Sequence, residues 1–230
     1  MFRRLVFDLG AAGYDFLTDH TLWREQVARV LDHAPAGVRA VLDLGCGPGV
    51  STFVLAERLP DAAEVVGIDF SGEMIRRARR HHLRRHAELR HLRFLEADVT
   101  DLPFDAGRFD LAVGHSFLYL LPEKERALRE IRRVLRPGGH LVLMEPNAEG
   151  SLLRAALALP ARRERLLRAP LAAPRLGTSM LLWRLASGAA GRLSEGRVRQ
   201  LFEASGFEAI EVLPTLAGLG LHCIGRRPAA

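Results

Sequence analysis

Residues 41 to 50 read VLDLGCGPGV, and few decapeptides restrict a fold as strongly. An apolar run closes on Asp43 and breaks into Gly45, Gly47 and Gly49 at strict alternation, and the helically spaced STFVLAERL follows directly. A strand that passes through a glycine turn into a helix aims backbone N–H groups and the positive helix end at one spot. Such a turn lets a ligand approach the backbone closely.

The rest of the chain supplies the sheet this unit needs. Strand-like runs fall at Ala40 to Leu44, Glu64 to Asp69, Leu92 to Glu96, Phe109 to Val113 and His140 to Glu145. Between them STFVLAERL, GEMIRRARRHH and EKERALREIRRVL have helical spacing, so the alternation predicts a mostly parallel sheet with helices on both faces. RPGG is expected to stop the helix before the fifth strand and turn the chain into it. Residues 147–193 break the rhythm with apolar and arginine-rich helical segments around Pro160, Pro170 and Pro174, and read as an inserted cap. Ser194 then caps a helix that Gly206 ends, and FEAIEVL and LGLHCIGRR follow as strands. Their connection is too short for a helical crossover, so they should pair antiparallel.

With 230 residues, 48% of them apolar, one domain with one insertion is expected. Its divisions are an N-terminal helical segment over residues 1–39, a core over 40–146, the cap over 147–193 and a terminal helix and hairpin over 194–230. The formal charge of +6 rests almost wholly on arginine, since Lys124 is the one lysine. That skew permits an anionic partner without demonstrating one. Cys46 and Cys223 give no disulfide framework or zinc spacing and suit a reducing cytoplasm. The N-terminus does not read as a signal peptide, because Asp8 and Asp15 interrupt its apolar run. No stretch reaches the roughly 20 apolar residues that span a bilayer, so peripheral contact with an anionic membrane surface is the most expected of it.

Spacing narrows the ligand. The turn lacks the Gly-Lys-Ser/Thr ending of a P-loop, and Val50 stands where a dinucleotide fingerprint carries its third glycine. Asp69 closes the second strand, placed to accept hydrogen bonds from both hydroxyls of a ribose. Asp98, in FLEADVTDLPF, is placed to accept from an adenine amine, although the same residues are good turn chemistry. Together they would hold a nucleoside across the carboxyl ends of adjacent strands.

VLDLGCGPG, VVGIDFS followed by EMIRRA, FLEADVTDLPF, RFDLAVGHSFLYLL and ALREIRRVLRPGGHLVLMEP stand in order. With these pieces the chain resembles the class I S-adenosylmethionine-dependent methyltransferases, from about Val41 through Asn147 and again from Ser194 onward. Within that family it looks most like the branch acting on small molecules, quinones and lipids. The resemblance implies a Rossmann-like α/β fold, a seven-stranded mostly parallel sheet with an antiparallel last strand. It also implies S-adenosyl-L-methionine as cofactor, with S-adenosyl-L-homocysteine as product. By that resemblance Asp43, Gly45, Cys46, Gly47 and Gly49 surround the methionine portion, and Asp69 takes the ribose. Phe70, with Ser71 and Met74 beyond it, packs by the adenine, and Asp98 and the Val99 backbone read its edge. His115 and Ser116 would contact the methionine end, and Tyr14 would belong to a flap over the cofactor.

Plainer roles compete at several positions. Cys46 fits a small side chain under a glycine turn better than a nucleophile. RRARRHHLRRHAELRH resembles a nucleic-acid tract, but Ile75, Ala78 and Leu83 mark one apolar face, leaving a solvated basic face. His82 and His86 are four apart with no third ligand in sight, so no metal is expected. His115 is a candidate general base, with Tyr119 and His222 behind it, or simply a strand end offering its backbone. The acceptor is expected in the cap, where leucines with Met180 and Trp183 would line an apolar pocket. There Arg154, Arg162, Arg163, Arg165 and Arg168 offer charge to a phosphate or membrane. The expected partner is thus a small, apolar or amphiphilic substrate, a quinone or lipid-like metabolite. The alternatives are a nucleic-acid methyltransferase, against which GHSF stands where an Asn/Asp-Pro-Pro-aromatic stretch would be, and a cofactor-binding protein that transfers nothing.

Overall fold

The computed structural model describes residues 21–157 and 172–229. Its strands are β1 (Ala40–Leu44), β2 (Glu64–Asp69), β3 (Leu92–Glu96), β4 (Phe109–His115), β5 (Leu135–Pro146), β6 (Glu208–Thr215) and β7 (Gly220–Arg226). They form one sheet in the order β3-β2-β1-β4-β5-β7-β6. All pairings through β5 are parallel, and β7 alone runs antiparallel to both of its neighbours. The strand order reverses between β1 and β4, where open α/β sheets form a crevice at their carboxyl ends.

Helices cover both faces: α1 (Thr21–Ala28), α2 (Val50–Arg58), α3 (Gly72–Arg85), α4 (Lys124–Val134), α5 (Leu152–Leu157), α6 (Ala172–Ala190) and α7 (Glu195–Ala204). On one face α4 and α7 pack Leu128, Ile131, Val198 and Phe202 against Leu42, Leu44, Leu141 and Cys223 of the sheet. Each fully buried leucine or isoleucine of this kind contributes about 1.5 to 3 kcal/mol. On the other, Val30 of the 3-10 turn Arg29–His33, Phe53 and Leu55 of α2, and Ile75 and Ala78 of α3 cover Val41, Val65 and Val113. Side chains alternate across each strand, so neighbouring residues in β1 serve opposite layers.

Every strand but β5 begins and ends within two residues of where hydrophobic patterning puts it, and Ser194 caps α7 by accepting from the Arg197 N–H at 3.3 Å. Two readings are corrected. β5 starts at Leu135, directly after α4, and RPGG forms a bulge inside it: Phe109 pairs with Leu135 but Leu111 with His140. Gly138, at φ 77°, turns the bulge, and the Arg227 backbone is hydrogen bonded to both glycines. Leu83 does not join Ile75 and Ala78, because it is 76% exposed near the end of α3.

The segment after β5 carries α5 and α6. Its two ends meet, since Asn147 and Leu193 form an isolated bridge and the Ala148 N–H donates to the Leu193 carbonyl at 2.9 Å. Arg184 of α6 is buried and donates to the carbonyls of Asn147 and Gly150 at 2.7 and 2.6 Å. Among the described residues no helix is long and apolar enough to cross a membrane.

Candidate functional site

The glycine turn sits at the strand-order reversal, between the β1 end and α2. Gly49 caps α2 at φ 98°, a conformation that side-chain-bearing residues rarely adopt. A Cβ there would also lie 2.9 Å from the rings of Phe53 and Phe94, and one on Gly45 would lie 2.9 Å from the Phe117 Cβ. The protein's own packing therefore requires these glycines, quite apart from any ligand. Cys46 turns its side chain into the core, and burial holds its thiol pKa well above the ordinary value. Its N–H continues the ladder to the Ile68 carbonyl at 2.9 Å, and its sulfur lies 3.6 Å from the Gly47 carbonyl.

Three acids surround this turn in different states. Asp43 is fully buried, and its Oδ2 accepts from Ser51 Oγ at 2.6 Å and Thr52 Oγ1 at 2.7 Å. Its Oδ1 has no partner among the described residues. Burial pushes its pKa up to about 7 despite those hydroxyls, and neighbouring Asp69 adds to the rise. Asp69 is buried as well. It accepts from the Gly47 N–H at 3.0 Å and the Ser71 N–H at 2.9 Å, so it shapes the turn directly. Asp98 is exposed and accepts the Thr100 N–H and hydroxyl, both at 2.8 Å, which is the turn chemistry its sequence suggested.

Beyond β2, Phe70 is 42% exposed beside Asp69, as an aromatic surface for a flat ring would be. Ser71 is fully buried and caps α3 by accepting from the Met74 N–H at 3.3 Å; Met74 and Val99 are buried. His82 and His86 have separate tasks. His82 Nε2 lies 3.1 Å from the Leu89 carbonyl, and His86 stacks on Phe53 with ring centroids 4.2 Å apart.

The end of β4 holds a feature that motif reading missed. Glu145, fully buried near the end of β5, accepts the N–H groups of Phe117, Leu118 and Tyr119 at 3.0 to 3.1 Å. Its carboxylate thereby holds the start of the 3-10 turn Leu118–Leu120, and burial raises its pKa to about 7 against the pull of these N–H groups. Ser116 stands at φ 57°, its N–H given to the Met144 carbonyl at 2.7 Å and its hydroxyl accepting from Trp183 Nε1 at 2.9 Å. Helix α6 is thus tied directly to the turn after β4. Tyr119 lies in the core beneath that turn, among the residues that α4 covers. His115 is buried beside the Trp23 ring and the Val27 backbone, with neither ring nitrogen in a well-formed hydrogen bond to the described residues. Tyr14 and Arg162, Arg163, Arg165 and Arg168 lie outside the described residues, as does the Met180 side chain.

The structure therefore brings Asp43, Gly45, Gly47, Gly49, Asp69 and Phe70 together at one crevice, with Asp98 at its rim and His115 and Ser116 on the β4 side. A buried carboxylate oxygen without a partner at the turn fits a ligand carrying an ammonium group. An exposed aromatic and a second acid at the β2 end fit its nucleoside portion.

Comparison with known proteins points the same way. A family model described as a methyltransferase domain matches residues 38–175. A 2-phytyl-1,4-naphtoquinone methyltransferase of Trichormus variabilis is 32% identical over 148 residues, covering 62% of this chain and 63% of the relative. A demethylmenaquinone methyltransferase of Thermus thermophilus is 45% identical over 125 residues, covering 54% of this chain and 53% of that protein. The chain thus spans between about half and two thirds of the length of these two curated relatives. A crystal structure of a putative S-adenosyl-L-methionine-dependent methyltransferase from Methanococcus maripaludis superposes with a TM-score of 0.66 at 18% identity, covering 96% of this chain and 93% of the other. At that identity the superposition speaks to the fold.

Proposed function

The chain belongs to the methyltransferase-domain family, among the class I S-adenosylmethionine-dependent enzymes, and from that premise we propose that it methylates a small apolar or amphiphilic acceptor of the quinone or lipid-like kind. The bond from Trp183 to Ser116 carries the acceptor reading, because it sets an apolar helix against the turn after β4, where the methionine end of the cofactor would lie. The two relatives, named as a 2-phytyl-1,4-naphtoquinone methyltransferase and a demethylmenaquinone methyltransferase, support the same class.

S-adenosylmethionine, when bound, supplies an electrophilic methyl group on a sulfonium. The chain's residues align and enclose. Asp43 and the glycine turn would fix the amino-acid end, Asp69 the ribose and Phe70 the adenine, with Asp98 and the Val99 backbone at its edge. The cap would exclude water from the path between acceptor and methyl, and such alignment and exclusion are the main demands of an in-line displacement. His115 would stand on the acceptor side of this arrangement as a neutral imidazole, burial holding its pKa down to about 4.

Incubation with methyl-labelled cofactor and cell fractions tests this reading. Label should enter apolar, extractable molecules, and reduced naphthoquinols should serve as acceptors. Label confined to nucleic acid, or intact cofactor binding with no transfer to any fraction, would overturn it. The cap also bears on location. Leu152, Leu153, Leu181, Leu182 and Leu185 are each at least 45% exposed there, with Arg154 among them also exposed. Burying such leucines beside arginine suits the interface of an anionic bilayer. The protein should co-sediment with anionic vesicles at low salt, and Leu153→Asp with Leu185→Asp should abolish that; no sedimentation of the wild type would remove the membrane from the proposal.

A further inference from the structure

His115, Met144 and His222 are successive partners across β4, β5 and β7, and so stand in a row on one sheet face at the carboxyl edge. Trp23 of α1 and the 3-10 turn Arg29–His33 lie against this row. His222 is 5% exposed and its Nε2 has no partner among the described residues. Its other nitrogen is engaged: Nδ1 lies 3.3 Å from Nε2 of His33, a half-buried residue nearer the surface. A buried imidazole with one orphan nitrogen and one nitrogen leading outward is what a proton needs to leave a closed pocket.

We infer that His222 takes a proton from a hydroxyl of the acceptor and passes one outward through His33. In this arrangement His222 carries its proton on Nδ1 and donates to His33 Nε2, leaving its own buried Nε2 bare and free to accept. The acceptor's O–H bond breaks as His222 Nε2–H forms. His222 Nδ1–H then passes to His33 Nε2, and His33 releases its Nδ1 proton to water. One proton enters and one leaves, so no net charge rests on the buried ring. Once the product has left, His222 gives its Nε2 proton to entering water, recovers Nδ1–H from His33 Nε2, and His33 Nδ1 is reprotonated from solvent. The net change is one proton from the acceptor to water. The neutrality of the ring matters because burial and its cationic neighbours hold the His222 pKa down to about 4, which would make an isolated imidazole here a poor base. The charged and titratable groups near it are Arg29, Asp32 and His33 on the turn and His115 on β4. Met144 and Leu213, its strand partners, are uncharged. His115 has the Val27 backbone and no titratable hydrogen-bond partner beside it among the described residues, so it offers no onward path for a proton.

This inference rests on the acceptor class proposed above and requires that acceptor in a hydroxylated, reduced form. The test uses the full chain, S-adenosylmethionine and 1,4-dihydroxynaphthalene kept reduced, from pH 6.5 to 10. At neutral pH His222→Asn should lower kcat about 100-fold and His33→Gln about 10-fold, with KM little changed. Toward pH 10, where an aromatic hydroxyl ionises unaided, both deficits should shrink toward unity. A deficit constant with pH would make the pair structural and overturn the relay. Nitrogen-15 NMR of the imidazoles in the wild type supplies a readout free of turnover and of misfolded variants. His222 should be the Nδ1–H tautomer, and finding its proton on Nε2 removes the base. Wild-type protein that binds S-adenosylhomocysteine but leaves the quinol unmethylated would fell the acceptor class, and the relay with it. Transfer with the wrong tautomer or a flat deficit would fell the relay alone.

Discussion

Glu145→Ala should destabilise the protein by about 3 to 5 kcal/mol, measured by chemical denaturation at neutral pH. The substitution leaves three buried backbone donors, at Phe117, Leu118 and Tyr119, without their acceptor. Each unsatisfied buried donor costs roughly 1 to 3 kcal/mol, and water entering the space left by the side chain would recover part of the sum. Amide exchange should accelerate first at those three residues, and cofactor-side ligands should protect them less in the variant. A loss below about 1 kcal/mol would show that the turn after β4 holds itself. The pH profile gives an independent check. A carboxyl whose folded pKa is raised to about 7 keeps its proton there, while the unfolded chain releases it near the ordinary 4.5. The unfolded state thus binds fewer protons across that window, and stability falls as pH rises from about 4.5 to 7. Asp43, also raised to about 7, acts in the same direction. His115 and His222, held down to about 4, act oppositely from there to about 6.5, so the wild-type profile alone is ambiguous. Subtracting the Glu145→Ala profile isolates the one carboxyl, and the difference should decline between pH 4.5 and 7 and then level.

Glu145 also marks the boundary of what sequence reading reaches. The strands were legible because their apolar runs are continuous where both faces are covered, and glycine, serine and proline punctuate them. The crevice was legible because Asp43, the glycines and Asp69 belong to a local strand-turn-helix grammar. Glu145 has no such grammar, since its partners follow a different strand and the contact exists only once β4 and β5 lie side by side. One signal was available: an acid ending the fully buried run LVLMEP must find donors or a proton in the core. The His115 and His222 row was hidden for the same reason, as only the pairing of β7 with β5 brings them to one edge. Leu83 was misplaced because periodicity says which face a residue occupies, not whether the sheet still extends beneath it. At β5 the breaker residues of RPGG outweighed Leu135 in the reading, whereas a bulge lets the strand begin before them.

Asp69→Ala should reduce affinity for S-adenosylhomocysteine by about 100-fold or more in isothermal titration, and it should also lower stability. Sequence reasoning alone expects the first effect with the fold intact, since a carboxylate at a partly open site loses only its bonds to the ligand, about 1 to 3 kcal/mol. The structure changes that expectation. Both oxygens already accept backbone N–H groups, Oδ2 from Gly47 inside the turn and Oδ1 from Ser71 at the cap of α3. Bonds to a charged acceptor contribute about 1.5 to 3 kcal/mol each, so the variant should lose about 2 to 4 kcal/mol of stability as the turn slackens. The two losses compound for the cofactor, because Gly47 must be held in place before a ligand can lie against it. Asp69→Asn separates them. Its amide oxygen can keep one backbone bond while its NH2 group repels the other, so stability should fall less than in the alanine variant and affinity should fall between the two. If alanine weakened binding with no change in the denaturation midpoint, Asp69 would serve the ligand alone and the bonds to Gly47 and Ser71 would be incidental. If stability fell while affinity held, the ribose would have to be held elsewhere, and the placement of the nucleoside at the β2 end would be wrong.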